Sequence, residues 1–272
     1  MLAFKFKPER LEFPCFFQPK LNGVRGLFLP KAQTFQSRDE HLWEPLVVKH
    51  QLTGLKRCNV LLDGEFYCHG LSLQQINSRI AVNRITPHDK AAEIVYNVFD
   101  IPSMSPMHHR VQMLEALEKH FKDHPNINVV PTKLVYSQRE ADYWYGQWKD
   151  QGYEGGMYRL YHAPYGFEHN CGNKENRWWH LQKRKDFLDL QAVIEDIYEG
   201  EDGFAGMLGG FVCRLDNDVR CNVGGGLTID QRQLYWANPQ KVIGAKVDIN
   251  YEMFSDGGQP LKATIECVHE LM

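Results

Sequence analysis

Five short polar clusters interrupt the apolar runs of this chain, and their residue types suit chemistry on charged ligands. The first is Gln18-Pro19-Lys20-Leu21-Asn22-Gly23-Val24-Arg25. A lysine amine is a nucleophile only after losing its proton, which burial or a neighbouring cation favours. Lys20 follows the apolar run at residues 13–17 and precedes Arg25, so both conditions are on offer; the same octapeptide also describes a strand-end lysine beside a turn. The second cluster, Leu61-Leu62-Asp63-Gly64-Glu65-Phe66, sets two carboxylates around a glycine in an apolar run. Within a buried strand such acids need a metal, a ribose hydroxyl or a cation; the alternative is an exposed Asp-Gly turn. In the third, Val98-Phe99-Asp100, the ring is either a base-stacking surface or core. The fourth, Tyr153-Glu154-Gly155-Gly156-Met157-Tyr158-Arg159, has paired glycines that let a backbone approach a ligand closely, between an acid and a cation. The fifth ends in Lys183-Arg184-Lys185; in a strand its two lysines share one face, as a phosphate requires or as a solvated basic strand would show.

The elements that must hold these residues follow from periodicity. Strand patterns cover residues 15–17, 24–29, 34–37, 59–68, 94–99 and 156–161, and helical patterns cover 43–55, 71–80, 107–121 and 138–151. Pro106 and Ser137 are start signals for the last two helices. Without a regular strand–helix–strand rhythm, the expected fold is α+β with antiparallel sheets, and Gly23 is expected in a hairpin turn between the first two strands. After Asp186 the texture changes to strands at 188–198, 210–215, 219–223, 246–251 and 263–268 with one helix at 228–236, which fits a small OB-type barrel. Two domains are expected, residues 1–186 and 187–272.

Composition bounds the setting. Of 272 residues, 43% are hydrophobic and 24% charged, an ordinary globular balance that excludes disorder. No run is long enough to span a membrane, and the opening MLAFKFKPERLEF is broken by charge where a signal peptide needs an apolar stretch. Seven cysteines without a C-x-x-C pair argue against a disulfide framework and place the chain in the cytoplasm. The net charge of −3 conceals an asymmetry: residues 187–272 carry six Lys+Arg against fourteen Asp+Glu, leaving residues 1–186 at +5. An anionic partner is therefore expected to meet the first domain.

Taken in order, K-x-N-G-x-R, S-R (Arg38), D-G-E, F-D, E-G-G and K-x-K, followed by a small barrel, resemble the covalent nucleotidyltransferase superfamily of ATP-dependent DNA ligases, RNA ligases and mRNA capping enzymes. The likeness is strongest to minimal two-domain DNA ligases of phages and bacteria. It implies an α+β nucleotidyltransferase (adenylation) domain followed by an OB-fold domain. It also implies Lys20 as the nucleophile that takes AMP from ATP, with Gln18 and Pro19 at the adenine, Phe99 stacked on the base, and Arg25, Arg38 and Glu65 at ribose or phosphates. Glu65 and Glu154 would hold Mg²⁺ or Mn²⁺, Lys183 and Lys185 would neutralise the α-phosphate, and Asn22 would meet nucleic acid. The implied partner is nicked duplex DNA, bound by a monomer through salt-sensitive phosphate contacts of the first domain.

Three features depart from the DNA-ligase pattern. Asn22 stands where aspartate is usual, the final segment offers only Lys262 as a cation, and the barrel is acidic. The alternatives are an RNA ligase, then a capping enzyme, or a catalytically inactive nucleic-acid-binding module. Adjacent His108 and His109 diverge on a helix and are not expected to form a metal site. The aromatic run Tyr143-Trp144-Tyr145 with Trp148 is expected to pack a helix against its neighbours. Cys213 and Cys221 are expected as reduced neighbours across a hairpin.

Overall fold

The chain divides into two compact units, Met1–Lys185 and Asp186–Met272. The computed structural model describes residues 1–37, 41–43, 53–80, 86, 88–167 and 178–271. In the first unit the strands are β1 (Ala3–Lys5), β2 (Cys15–Lys20), β3 (Val24–Leu29), β4 (Thr34–Gln36), β5 (Leu42–Trp43), β6 (Leu62–Tyr67), β7 (Val95–Asp100), β8 (Ile127–Val129), β9 (Lys133–Val135), β10 (Gly155–Leu160) and β11 (Trp178–Lys185). The helices are α1 (Leu73–Ile80), α2 (Met107–Phe121) and α3 (Gln138–Asp150). One sheet runs β1-β11-β10-β2-β9 and the other β5-β4-β3-β6-β7-β8. Neighbours are antiparallel except at two sheet edges, where β1 with β11 and β7 with β8 run parallel, so the sheets are mixed.

Gly23 is not in a hairpin. β2 and β3 belong to different sheets, and residues 21–23 carry the chain from one to the other. The hairpin reading rests on local Asn-Gly chemistry, whereas β2 is buried along nearly its whole length and takes its partners from β9 and β10. Gly23 is required for another reason: a Cβ there would lie 2.3 Å from the carbonyl oxygen of Phe66.

Apolar packing fixes both sheets. Phe17 of β2 and Tyr158 of β10 meet Tyr145 and Trp148 of α3, with the Phe17 ring 4.3 Å from Tyr158 and 4.7 Å from Trp148. The aromatic run is thus split, because Tyr143 projects to solvent and Trp144 lies under Lys133 Nζ at 4.4 Å. Ser137 caps α3 by accepting from Glu140 N. The second sheet buries Phe28, Phe35, Phe66 and Tyr96 with Ile76 of α1 and Leu114 of α2. The helix expected at 43–55 falls largely outside the described residues; Thr53–Arg57 forms a 3₁₀ turn.

In the second unit β12 (Leu188–Glu199), β13 (Leu208–Arg214), β14 (Arg220–Val223), β15 (Lys246–Tyr251), β16 (Met253–Phe254), β17 (Pro260–Leu261) and β18 (Thr264–His269) accompany α4 (Ile229–Ala237). The order β14-β13-β12-β15-β18, with a bridge from Gly225 to Thr264 joining the two ends, makes a five-stranded barrel with its helix between the third and fourth strands, as in OB-folds. Thr228 and Gln231 form a capping box at α4. The buried Arg232 of α4 donates to the carbonyls of Leu208 and Gly209 at 2.7 Å each and to that of Gly224. Sequence patterning missed this arginine and the short β16–β17 hairpin. Cys213 and Cys221 are register partners and free thiols.

Candidate active site

The register of β2, β10 and β11 aligns Lys20 with Gly155 and Lys185, and Gln18 with Met157 and Lys183. Cross-strand partners share a face, as do residues two apart, so Lys20, Lys183, Lys185 and Gln18 lie on the same side of the sheet, with Pro19 on the other. Gly155 leaves the gap between Lys20 and Lys185 free of a side chain. It also admits the tight packing of β10 on β11, since a Cβ there would lie 2.2 Å from the carbonyl oxygen of Arg184.

Glu154 joins the two lysines. Its backbone N–H donates to Lys20 O at 3.2 Å, Lys20 Nζ donates to its Oε2, and Lys185 Nζ stands 3.7 Å from its Oε1. Lys20 Nζ also donates to Leu21 O at 3.3 Å. The group is sheltered but reachable, with Lys20 and Glu154 side chains 19% and 13% exposed. The cation nearest this carboxylate after Lys20 therefore comes from β11, through non-local pairing rather than from nearby Arg25.

Glu65, on β6, accepts from Gly23 N at 2.7 Å, so the crossing loop is tied to the second sheet beside Lys20. Burial pushes its carboxyl up to about 7, opposed by Lys20, by the Gly23 N–H and by Arg25. This half-buried carboxyl beside Glu154 is an oxygen donor set suited to a hard divalent cation. Arg25 is occupied elsewhere. It grips Asp63 through Nε to Oδ1 at 2.8 Å and Nη2 to Oδ2 at 2.7 Å, and also donates to Met1 O and Tyr165 OH. Asp63 lies near the start of β6 and is fully buried; of the partners its sequence setting allowed, it takes the cation.

A second polar group stitches the sheets together. Arg159 of β10 donates through Nε to Gln18 Oε1 at 2.6 Å and through Nη1 to Asp100 Oδ2 at 2.6 Å. Arg110 of α2 donates through Nε to Asp100 Oδ1 at 2.7 Å. Gln18 Nε2 donates to Phe99 O at 3.0 Å and to Thr132 Oγ1 at 2.8 Å, and the Arg159 guanidinium lies over the Phe99 ring at 5.2 Å. Gln18 thus uses both ends of its amide within the protein and sets the position of Phe99. Arg110, Thr132 and Tyr165 had no signal in the sequence beyond their residue type. Asn22 sits in the crossing loop, and Arg38 lies outside the described residues. A cavity of about 560 Å³ next to this region is lined by Tyr67, His69, Asn97, Lys122 and Tyr153 but includes neither Lys20 nor Glu154, so the chemistry is better located by the charged row than by volume.

Fold and site define a two-unit protein, a nucleotidyltransferase-type unit followed by an OB-like barrel. Residues 1–182 match the family model of the ATP dependent DNA ligase domain, and residues 199–268 match that of the DNA ligase OB-like domain. The chain belongs to the ATP-dependent DNA ligase family. It is similar to DNA ligases of African swine fever virus, being 30% identical to one over 216 residues, 75% of this chain and 49% of the relative. The chain therefore spans about half the length of these viral relatives. Among solved structures it resembles one from work on DNA binding with a minimal scaffold by Lig E DNA ligases, with a TM-score of 0.82 at 22% identity over 99% of this chain and 98% of that one. The Chlorella virus DNA ligase-adenylate gives a TM-score of 0.53 at 22% identity over 100% of this chain and 98% of that one. At these identities the structural likeness establishes the fold. Among the described residues no helix is long and apolar enough to cross a membrane.

Proposed function

We propose that this chain seals nicks in duplex DNA, joining a 5′-phosphate to an adjacent 3′-hydroxyl at the expense of ATP. The observation that carries this reading is the row Lys20–Glu154–Lys185, with Lys20 at the point where the chain passes between sheets. While the Lys20 ammonium donates to Glu154, its nitrogen has no free electron pair, and the hydrogen bond to Glu154 is the route open to the departing proton. The amine then attacks the α-phosphorus of ATP; a P–N bond forms, the bond to the β-phosphate oxygen breaks, and pyrophosphate leaves a lysyl-AMP. A 5′-phosphate oxygen of the nick next displaces Lys20, and the 3′-hydroxyl displaces AMP to close the strand.

Phosphoryl transfer rests on positioning and on charge neutralisation. Lys185 and Lys183 face the α-phosphate, Phe99 stacks on the adenine in the place Gln18 and Arg159 give it, and Pro19 backs the strand. Arg38 adds positive charge near ribose and phosphates, while Arg25, its charge met by Asp63, braces the β3–β6 pair that carries Glu65. Glu65 and Glu154 would hold Mg²⁺ or Mn²⁺, which would neutralise phosphate charge. Asn22 contacts the nucleic acid. The chain acts as a monomer in a reducing, cytoplasmic setting, and residues 1–186 hold DNA mainly by salt-sensitive phosphate contacts.

The test is sealing of a singly nicked, 5′-phosphorylated duplex with ATP and Mg²⁺, alongside Lys20→Ala and an otherwise identical RNA nick. Sealing of DNA that is lost in Lys20→Ala is the expected result. Sealing of RNA alone would make the chain an RNA ligase, and failure on both with no covalent AMP adduct would make it a binding module.

A further inference from the structure

Away from that site, the barrel brings three unlike donors onto one face. Asp248 of β15 and Cys267 of β18 are register partners, and His269 lies two residues beyond Cys267. The alternating residues Val247 and Ile249 are buried in the barrel core, so this row points outward. One ligand atom each from Asp248, Cys267 and His269 lie within 4.8 Å of one another, and no other such trio occurs among the described residues. The donors are already oriented. His269 Nε2 and Asp248 Oδ2 are 2.8 Å apart, and the other carboxylate oxygen of Asp248 accepts from Gln191 Nε2 at 3.0 Å. Gln191 stands opposite Asp248 on β12, so the support comes from a third strand.

We propose that Asp248, Cys267 and His269 bind a borderline-soft divalent cation, Zn²⁺ foremost. Thiolate and imidazole select such an ion over Mg²⁺, which prefers oxygen ligands. Tetrahedral zinc holds its ligands at about 2.0–2.3 Å, hence about 3.4 Å from one another, so the trio needs side-chain rotations of an ångström or so. The Asp248–His269 contact opens slightly as two metal bonds replace it; the imidazole keeps a single proton, on Nδ1, so that the Nε2 lone pair is free for the metal, and the Cys267 thiol releases its proton to solvent as the metal–sulfur bond forms. Water fills the fourth position. Gln191 serves as the outer partner that orients the carboxylate, while Lys246, opposite His269, is the like charge that limits affinity. Bound metal ties β15 to β18, the strand whose Thr264 closes the barrel on Gly225.

The test is titration of the full, metal-free chain with Co²⁺ as a spectroscopic probe. The expected result is a stoichiometric thiolate-to-cobalt charge-transfer band with tetrahedral d–d bands, displaced by Zn²⁺ and unmoved by excess Mg²⁺. Cys267→Ser and His269→Ala should lose the band while keeping the far-ultraviolet circular dichroism of the parent, since both positions are exposed. Gln191→Ala should keep it with affinity lowered about tenfold. Zn²⁺ should raise the melting temperature of the parent and not of Cys267→Ser. Absence of the band, or a band that persists in Cys267→Ser, overturns the proposal.

Discussion

Asp100→Asn changes one atom of a side chain at the place where three buried charges meet. Asp100 is fully buried, and its partners Arg110 and Arg159 are 2% and 4% exposed. Oδ1 accepts from Arg110 Nε and from Ile101 N at 2.8 Å, and Oδ2 accepts from Arg159 Nη1 and from Arg110 Nη2 at 3.3 Å. An asparagine satisfies one of these two sets and presents an NH₂ to the other, donor against donor. It also leaves two guanidinium charges in the interior without their counter-charge. Breaking a buried ion pair from one side costs about 3–5 kcal/mol, a large part of the ~5–15 kcal/mol that holds a typical domain. With a urea slope of about 2–3 kcal/mol/M, the unfolding midpoint should fall by roughly 1–2 M. Tryptophan fluorescence reads this directly, because five of the six tryptophans lie within residues 1–185. A loss below about 1 kcal/mol would refute the view that this triad holds the sheets together.

The same group predicts an acid limb. Burial alone raises the Asp100 carboxyl, but Arg159 and Arg110 outweigh it and hold the group below its ordinary value. The unfolded chain then takes up the proton first on acidification, so this contribution is complete above about pH 4 and is lost as the pH falls through the depressed folded-state value. The stabilities of parent and Asp100→Asn should converge on going from pH 5 to pH 3.

The remaining expectations concern the row around Lys20. For Glu65, whose carboxyl burial raises to about 7, the folded protein keeps a proton that the unfolded chain releases, so stability declines as the pH rises from about 4.5 to 7. Glu65→Gln, measured in chelator, should abolish that decline, worth up to about 3 kcal/mol; an unchanged pH profile would count against a half-buried, proton-holding Glu65. Gly155→Ala must displace β10 from the Arg184 carbonyl, so a loss of about 2 kcal/mol or more is expected on urea unfolding. Glu154→Gln keeps the shape but removes the charge between Lys20 and Lys185. Labelling by ATP carrying a labelled α-phosphate should slow roughly a hundredfold or more under conditions where the variant keeps the far-ultraviolet circular dichroism of the parent; near-parent labelling would remove Glu154 from the chemistry.

Much of this architecture is legible where local pattern and long-range pairing agree. The strands around Lys20, Glu65, Phe99 and Glu154 stand out as apolar or alternating runs, and the Lys183–Lys185 spacing places both amines on one face once the segment is extended. The crossing at residues 21–23 is not legible, since Asn-Gly suits a hairpin and only the pairing of β2 with β10 excludes one. Arg25 illustrates the same limit: five residues from Lys20 in sequence, it turns to Asp63, while the cation that shares Glu154 with Lys20 arrives from Lys185. Sequence proximity in a strand says little about proximity of charges, because neighbouring side chains alternate between faces and register brings distant ones together.

That distinction separates two ways of failing. Gln18 and Arg159 act on Phe99, whereas Glu154 and Lys185 act on Lys20, and the two groups share β2 without sharing a hydrogen bond. Loosening the first group, as Asp100→Asn does, should weaken ATP binding through a misplaced Phe99 while the amine keeps its carboxylate. Removing the second should leave ATP binding nearly intact and slow the transfer of AMP. Measured side by side, an ATP affinity that falls in Asp100→Asn and a labelling rate at saturating ATP that falls in Glu154→Gln would place binding and transfer in two separate halves of the polar site. Loss of both properties in both variants would mean that the halves move as one.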